Sequence, residues 1–486
     1  MGQHGPLKGQ CQPHVLQSEH PLPMGQTSMD VSQPKQPPGP GFIEALRMTP
    51  DLTRDALGTM SRISRTYGDL VKVKIGPMLV YLLNHPDYAK HVLQDNHTNY
   101  RKSSIYHEFS VLLGDGQLTT NDMEYWRSQR KLIHPAFSRS HLERYFTKVS
   151  ETSSAMLERW ETAARAGKPL DVYSEFMRLL LSLTGKILFN IDLAEEAPQV
   201  SEAMRVAFDF IMKRVNAPVK LPRDFPTPAR QRVGRHVGVL NDIVRRLIED
   251  RRQGEDRGDL LTALVRARDE AGKGMSDEHL RDEIKTLLVA GHESPANVLS
   301  WACYLLSLNP DKEERLAAEI AQVVGDRPPT FADLPRLRYC QMVLEETMRL
   351  YPPAWVVERT PLQDDVIGGY RIEAGARVTM FMYEIHRHRD FWTDPERFEP
   401  ERFSEERSAG RHRFALFPFS GGPRICLGKD LSMVEMTLCL TMVIQRFRLR
   451  LEPSHPVVPL PSVNLRPRDG IVFHLSPRKG AAAATG

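Results

Sequence analysis

The residue best placed to do chemistry is Cys426, in the run Phe417–Gly428, FPFSGGPRICLG. Gly421, Gly422 and Pro423 precede it and Gly428 follows, after which Lys429–Phe447 has the apolar spacing of a long helix. A thiolate just before a helix N-terminus is stabilised by the helix dipole and by backbone N–H groups that lack intrahelical partners. Glycines let a backbone pass close to a flat ligand. Arg424, two residues before the cysteine, can pair with an anionic group of that ligand. The plainer reading of a lone cysteine in a turn is an inert buried thiol.

Other spacings carry charge and proton chemistry. Glu346 and Arg349 stand three apart in the helical pattern Leu334–Leu350, which puts both on one face before Pro352-Pro353 ends it. Pro-Glu-Arg-Phe occurs twice downstream and offers Arg397 or Arg402 as a further partner. Trp126 and Arg130, four apart, share a face, as an indole N–H and a guanidinium. Asp277–Asn309 reads as one long helix on which Leu287, Ala290, Gly291, Ser294 and Val298 fall on one side. Pro295 has no N–H for the Gly291 carbonyl and disfavours the α conformation at Ser294. The spacing therefore predicts a kink or widened turn there. The plainer reading is a bent helix in which the Ser294 hydroxyl satisfies a carbonyl.

The order WxxxR, Glu293-Ser294, ExxR, PERF and F-x-x-G-x-R-x-C-x-G (Phe419–Gly428) resembles the cytochrome P-450 superfamily, over about Pro37 to Pro477. The resemblance implies haem b (iron protoporphyrin IX) with Cys426 as axial ligand of the iron. In that superfamily the thiolate pushes electron density to favour O–O cleavage. It also implies haem binding by Trp126, Arg130, Arg359, Phe419, Arg424 and Gly428. Glu346, Arg349 and Arg402 become a structural charge network beneath the cysteine loop. Glu293 and Ser294 become the catalytic proton relay, with the freed Gly291 carbonyl and the Ser294 hydroxyl holding a water. Here the chain departs from the family, which has threonine where Ser294 stands. The small residues Ala290 and Gly291 leave room for haem and dioxygen. With Leu287, Ala354, Trp355, Val356 and Val357 they are the expected pocket, in which Trp355 narrows the space.

The implied activity is monooxygenation of a hydrophobic or aromatic small molecule in bacterial natural-product biosynthesis, with dioxygen as co-substrate. Fatty-acid hydroxylation is an alternative of the same class, since Gly-His-Glu also occurs in that group. Electrons come from an external NAD(P)H-dependent chain, a ferredoxin or flavodoxin with its reductase. Arg127, Lys131, Arg424 and Lys429 are expected to form a basic docking surface for it. A second reading uses the same haem for oxidative ring closure, desaturation or coupling without oxygen insertion. A third is a non-catalytic haem electron carrier or gas sensor. Glu293 and Ser294 argue against it, since a carrier needs no proton relay.

The elements that must position these residues are mainly helical. Val71, Val73 and Ile75 alternate with Lys72 and Lys74, Gly76-Pro77 turns the chain, and Leu79–Leu83 returns, which predicts a hairpin over Asp69–Asn84. Helical spacing then dominates to Asn309. Short strands return near Val366–Ile372, Arg377–Met382, Phe447–Leu451 and Ile471–Leu475. The expected fold class is mainly α with a small β part, a single domain over residues 41–479, with a flexible N-terminal segment 1–40 and a flexible tail 480–486. His134, His386 and His388 are expected in loops or at the surface, with no metal-site spacing.

Composition narrows the function classes. In 486 residues, 65 basic and 61 acidic side chains leave a net charge of +4, too small for a dedicated nucleic-acid binder. Apolar residues at 41% and charged residues at 26% fit a globular chain. The cysteines are scattered with no CxxC pair, which excludes a disulfide framework and a zinc motif. No apolar run approaches the ~20 residues of a membrane span, so no membrane anchor is expected and the location is cytoplasmic. No dinucleotide fingerprint follows a strand, so a nicotinamide cofactor bound by the chain itself is unsupported.

Overall fold

The computed structural model describes residues 34–76, 78–217, 222, 225–254, 257–268, 272 and 274–478. The chain is mainly α with a small β part, organised on one central helix, Asp277–Leu308. Ser276 caps that helix by accepting from the His279 N–H. Its middle is buried on most sides, as the near-continuous apolar pattern requires. It packs most extensively against the helix Val172–Leu188, and also against Arg338–Leu350 and Lys429–Arg446. Val172–Leu188 begins at Asp171, whose side chain accepts from the Tyr173 N–H. Helices Ala197–Asn216 and Pro228–Gln253 pair with each other and cover one side of this core.

The β part places two site residues opposite each other. A five-stranded sheet runs in the order Leu70–Ile75, Met78–Leu83, Arg377–Met380, Val357–Pro361, Tyr100–Lys102. The first two strands form the expected hairpin, with Val71 opposite Leu82 and Val73 opposite Val80. The last two are antiparallel and set Lys102 directly across from Arg359.

Three expectations are corrected. Residues 34–40, expected to be flexible, are tied to the fold. The Lys35 N–H donates to Gly369 O, the Arg371 N–H to Lys35 O, and the Lys72 N–H to Pro38 O at 2.8 Å. A proline-stiffened extended segment presents its carbonyls to strand N–H groups at little entropic cost. The rest of the N-terminal segment, with Cys11, and the tail 480–486 lie outside the described residues, as does Pro77 of the hairpin turn. The helix expected from Leu334 starts at Arg338, because Phe331–Arg336, with Pro335, forms a 3-10 turn. The central helix stays α-helical through Pro295, without the expected widened turn. Pro295 itself is buried in the helix packing, although the Gly291 carbonyl still loses its helical N–H.

Candidate active site around Cys426

The cysteine loop closes on itself. The Cys426 N–H donates to Phe419 O at 2.9 Å and the Ile425 N–H to Gly422 O at 3.1 Å. Gly422 sits at φ +67°, and a Cβ there would lie 1.7 Å from Leu93 O, so only glycine fits. A Cβ at Gly421 would lie 2.6 Å from the Phe414 ring. Both glycines therefore seat the loop on the segment His91–Asp95 and on Phe414, a different task from the ligand approach expected of them. Phe419 packs at the edge of the main core. Gly428 precedes the helix Lys429–Arg446 with an ordinary φ of −84°. Cys426 is exposed, yet burial is the main influence raising its thiol pKa, opposed by the Gly428 N–H and by Arg130. The two facts agree when the sulfur faces an interior void rather than bulk water.

A group of cations surrounds this loop. Asp122 caps the helix Met123–Ile133 by accepting from the Glu124 and Tyr125 N–H groups. One turn in, Trp126 is buried, and the Arg130 guanidinium lies 5.4 Å from its ring and donates to Ile425 O at 2.9 Å. Arg424 lies 4.8 Å from the same ring and donates to Thr120 O at 3.1 Å, while its Nη1 is buried without a partner. Arg359, buried in its strand, donates to Glu358 O. Lys102 Nζ lies 4.1 Å from the Tyr106 ring centroid.

Like charges directly across a β-ladder destabilise it, and Lys102 and Arg359 are both buried. Burial, then Arg359 and Arg424, hold the Lys102 ammonium well below its usual pKa. Burial and then Arg359 lower Arg424 to about 10. Among the described residues no carboxylate lies within ion-pair distance of Lys102, Arg130, Arg359 or Arg424. The nearby Glu358 carboxylate is occupied by Ser103, Arg377 and Thr379. A thiol facing a void, ringed by cations that lack anions, fits haem with its two carboxylates. Spacing along the chain does not mark Lys102, since only the strand register sets it across from Arg359, nor Tyr106, whose ring meets Lys102 from the next helix, Ser104–Leu113.

The central helix carries the next group of expected site residues. Ala290 is exposed, and Leu287, Gly291 and Ser294 are half-buried, although their neighbours Val289, His292, Glu293 and Pro295 are buried. These residues form one less buried stripe along the helix, and Val298, on the same side, is buried. A Cβ at Gly291 would lie 3.0 Å from Thr184 Oγ1, so the missing side chain also serves the contact with Val172–Leu188.

Glu293 is 4% exposed and lines a different cavity, of about 550 Å³, together with Tyr173, Arg178, Arg205 and Arg466. Burial raises its carboxyl pKa to about 7, against the opposing pull of Asn464 and Arg466. Its Oε2 has no partner, and neither does the side-chain amide of Asn297, one turn along. Glu293 and Ser294 thus project toward different spaces, and a proton passing between them needs water.

The charge network is closed. Glu346 accepts from Arg349 Nε at 2.6 Å and Nη2 at 2.8 Å, from the Glu399 N–H at 2.8 Å and from Arg402 Nε at 3.2 Å. Arg349 donates further to the carbonyls of His386, Pro395 and Arg397. Arg402, from the second PERF, donates to Thr393 O and Asp394 O. His386, expected in a loop or at the surface, lies in the turn after Met382–Ile385 and is fully buried. Its Nε2 accepts from the Phe417 N–H at 3.1 Å, which joins the network to the start of the cysteine loop. Burial, then Arg387 and Arg349, push its pKa down to about 3 and keep the imidazole neutral for that bond.

Two further expectations are corrected. Trp355 is not at a pocket wall: it packs with Ile63 and Phe381, and its Nε1 donates to Ser462 O at 2.7 Å. Val357 is buried in the sheet cluster, while Ala354 and Val356 are half-buried. Of the expected docking cations, Arg127, Lys131 and Lys429 are exposed, whereas Arg424 turns inward because Trp126 and Thr120 O hold it.

A sequence profile of the cytochrome P450 family matches residues 34–474. Cyclooctatin synthase of Streptomyces melanosporofaciens is 35% identical over 82% of this chain and 87% of its own. Cyclooctat-9-en-7-ol 5-monooxygenase of the same organism is 34% identical over 85% and 90%. Pentalenene oxygenase of Streptomyces avermitilis is 32% identical over 87% and 93%. Among the described residues, no helix is long and apolar enough to cross a membrane.

Proposed function

The chain belongs to the cytochrome P450 family, and we propose that it is a haem-thiolate monooxygenase that oxidises a hydrophobic, cyclic, terpene-type molecule in bacterial natural-product biosynthesis. The family is an oxidoreductase class that works with haem iron and an external redox partner. Bound haem, here haem b, supplies dioxygen activation, with one oxygen atom entering the substrate and the other leaving as water.

The observation that carries the reading is the unpaired cation group, Lys102, Arg130, Arg359 and Arg424, around the inward-facing Cys426. In this reading Cys426 holds the iron and the cations hold the two haem carboxylates. Leu287 and Ala290 present an apolar wall to the substrate and exclude water. The Ser294 hydroxyl and the free Gly291 carbonyl hold a proton-bearing water, and Glu293 draws protons from the cavity on its own side.

The substrate class rests on the printed names of the relatives, an alkenol and an alkene among them. Electrons arrive from an NAD(P)H-dependent ferredoxin or flavodoxin system in the cytoplasm, and exposed Arg127, Lys131 and Lys429 suit an acidic donor.

The test is spectroscopic. Reduced, haem-loaded protein with carbon monoxide should show the red-shifted Soret band of a thiolate complex, and Cys426→Ala should lose it. An unchanged band in the variant overturns the assignment. Cyclic terpene alkenes should then perturb the haem spectrum more strongly than fatty acids, with a product one oxygen atom heavier. A product without added oxygen would instead favour oxidative ring closure or desaturation.

A further inference from the structure

We propose that Asp69, His85 and His388 form a binding site for one divalent transition-metal cation of the zinc type, separate from the Cys426 centre. They meet where the start of the Leu70–Ile75 strand, the cap of the short helix Pro86–Lys90 and the loop after Met382–Ile385 come together. One donor atom from each lies within 4.8 Å of the other two. His388 Nε2 is 3.2 Å from Asp69 Oδ1. Two ligands of one tetrahedral ion with bonds of ~2.0–2.1 Å stand about 3.3 Å apart, so this pair is already at ligand spacing. His85 completes the set by a shift smaller than a bond length.

The rings are held in place. His85 and His388 meet edge to face at 5.1 Å, and Phe391 packs on both, at 5.4 and 5.3 Å. Carboxylates stand behind the imidazoles, as they do behind metal-binding histidines generally. Each Nδ1 accepts a backbone N–H, His85 from Asp87 at 3.2 Å and His388 from Asp390 at 3.3 Å; Asp87 Oδ2 lies 3.6 Å from His85 Nδ1, and Asp390 acts electrostatically on both rings. Among the described residues, Asp69, Asp87 and Asp390 have no lysine or arginine within ion-pair distance. The charged partners within reach of Asp69 and Asp87 are histidines: His388, and His85 with His412. With neutral imidazoles the cluster is therefore an excess of negative charge awaiting a cation. Two imidazoles and one carboxylate favour zinc, nickel, copper or cobalt over magnesium or calcium. The Asp69 side chain is 45% exposed, which leaves an entry path and room for water to complete the coordination. Binding moves the single proton of each neutral ring from Nε2 to Nδ1, where the Asp87 and Asp390 carboxylates can accept it in place of the backbone N–H, and no electron moves.

The experiment uses the full haem-loaded chain, stripped with a chelator and dialysed against zinc chloride, with bound zinc counted by atomic absorption and affinity taken from calorimetry. The unmodified chain should hold one zinc more than His85→Gln/His388→Gln. Asp87→Asn, which removes only a backing carboxylate, should keep that zinc with ~10–100-fold weaker affinity. Equal zinc counts in the unmodified chain and the double variant overturn the site. Should the double variant lose haem, Asp69→Asn at the exposed position takes its place, and unmodified zinc affinity there overturns it equally. Displacement of the zinc by an equal concentration of magnesium would overturn the assignment to a transition metal.

Discussion

Glu346 and Glu293 are buried carboxylates on helices that pack against each other, in opposite surroundings. Every direction around Glu346 is filled by a donor, from Arg349, Arg402 and the Glu399 backbone. Glu293 has an oxygen with no partner, a neighbour in Asn297 whose amide is also unpartnered, and a cavity in front of it. A buried charge that is fully paired fixes a geometry. One that is left short of partners gives up its charge readily, and its proton becomes available near neutral pH. The first arrangement suits a foundation under the cysteine loop, reached through Arg349, His386 and the Phe417 N–H. The second suits proton traffic.

The largest effect expected from breaking this contrast is at Glu346. Glu346→Ala leaves buried Arg349 without its counter-charge and Arg402 with Glu399 alone, a loss typically of about 3–5 kcal/mol. The variant should be poorly folded or depleted in haem, as measured by haem content and denaturant midpoint. A stable, fully haem-loaded variant with only slower turnover would show that the network is not a foundation.

Glu293→Gln should do the opposite. The folded carboxyl titrates at about 7, above its ordinary 4.5. Between these values the folded chain keeps a proton that the unfolded chain has released, so stability falls as pH rises through that window, by about 3 kcal/mol. Glutamine cannot ionise, so the variant should lose that part of the slope. Denaturant unfolding of both proteins at about pH 5 and about pH 8 measures the difference. Identical slopes would mean that Glu293 finds in the folded protein all the stabilisation it has in water.

Gly291→Ala tests the floor on which Glu293 stands. Its Cβ meets Thr184 at 3.0 Å, and overpacking of this kind costs about 1–3 kcal/mol. Thr184→Ala should recover part of the loss, giving a non-additive double-mutant cycle in unfolding free energy. Strict additivity would remove the contact from the account.

Ser294→Ala sharpens the comparison with the smallest stability change, within about 0.5 kcal/mol. Haem and substrate binding should persist while product per electron falls and peroxide rises. Unchanged product and peroxide yields would show that the water is not held by this hydroxyl.

The motifs were legible because their spacing is local. Glu346 and Arg349, or Trp126 and Arg130, share a helix face by covalent geometry, whatever surrounds the helix. The hairpin was legible for the same reason, since alternation in Val71–Lys74 fixes which face is buried. Arg424 illustrates the boundary. Its place beside Cys426 follows from the chain, but its direction does not: spacing alone suits a ligand contact and a docking surface equally, whereas Trp126 and Thr120 O hold the guanidinium inward. Trp355 shows the same limit, since an indole suits a pocket wall or a core equally until Ile63 and Phe381 close around it.

The sequence by itself determined the thiol at position 426, the charge pairs on their helices, the departure at Ser294-Pro295 and the mainly helical class. Each of these depends on neighbours within a few residues. Only the tertiary structure set Lys102 across from Arg359, tied His386 to Phe417, brought His85 to His388 and Asp69, and turned Glu293 and Ser294 toward different spaces. Those contacts join segments far apart in the chain. Strand register, helix packing and burial are properties of the collapsed whole, and residue spacing carries no record of them.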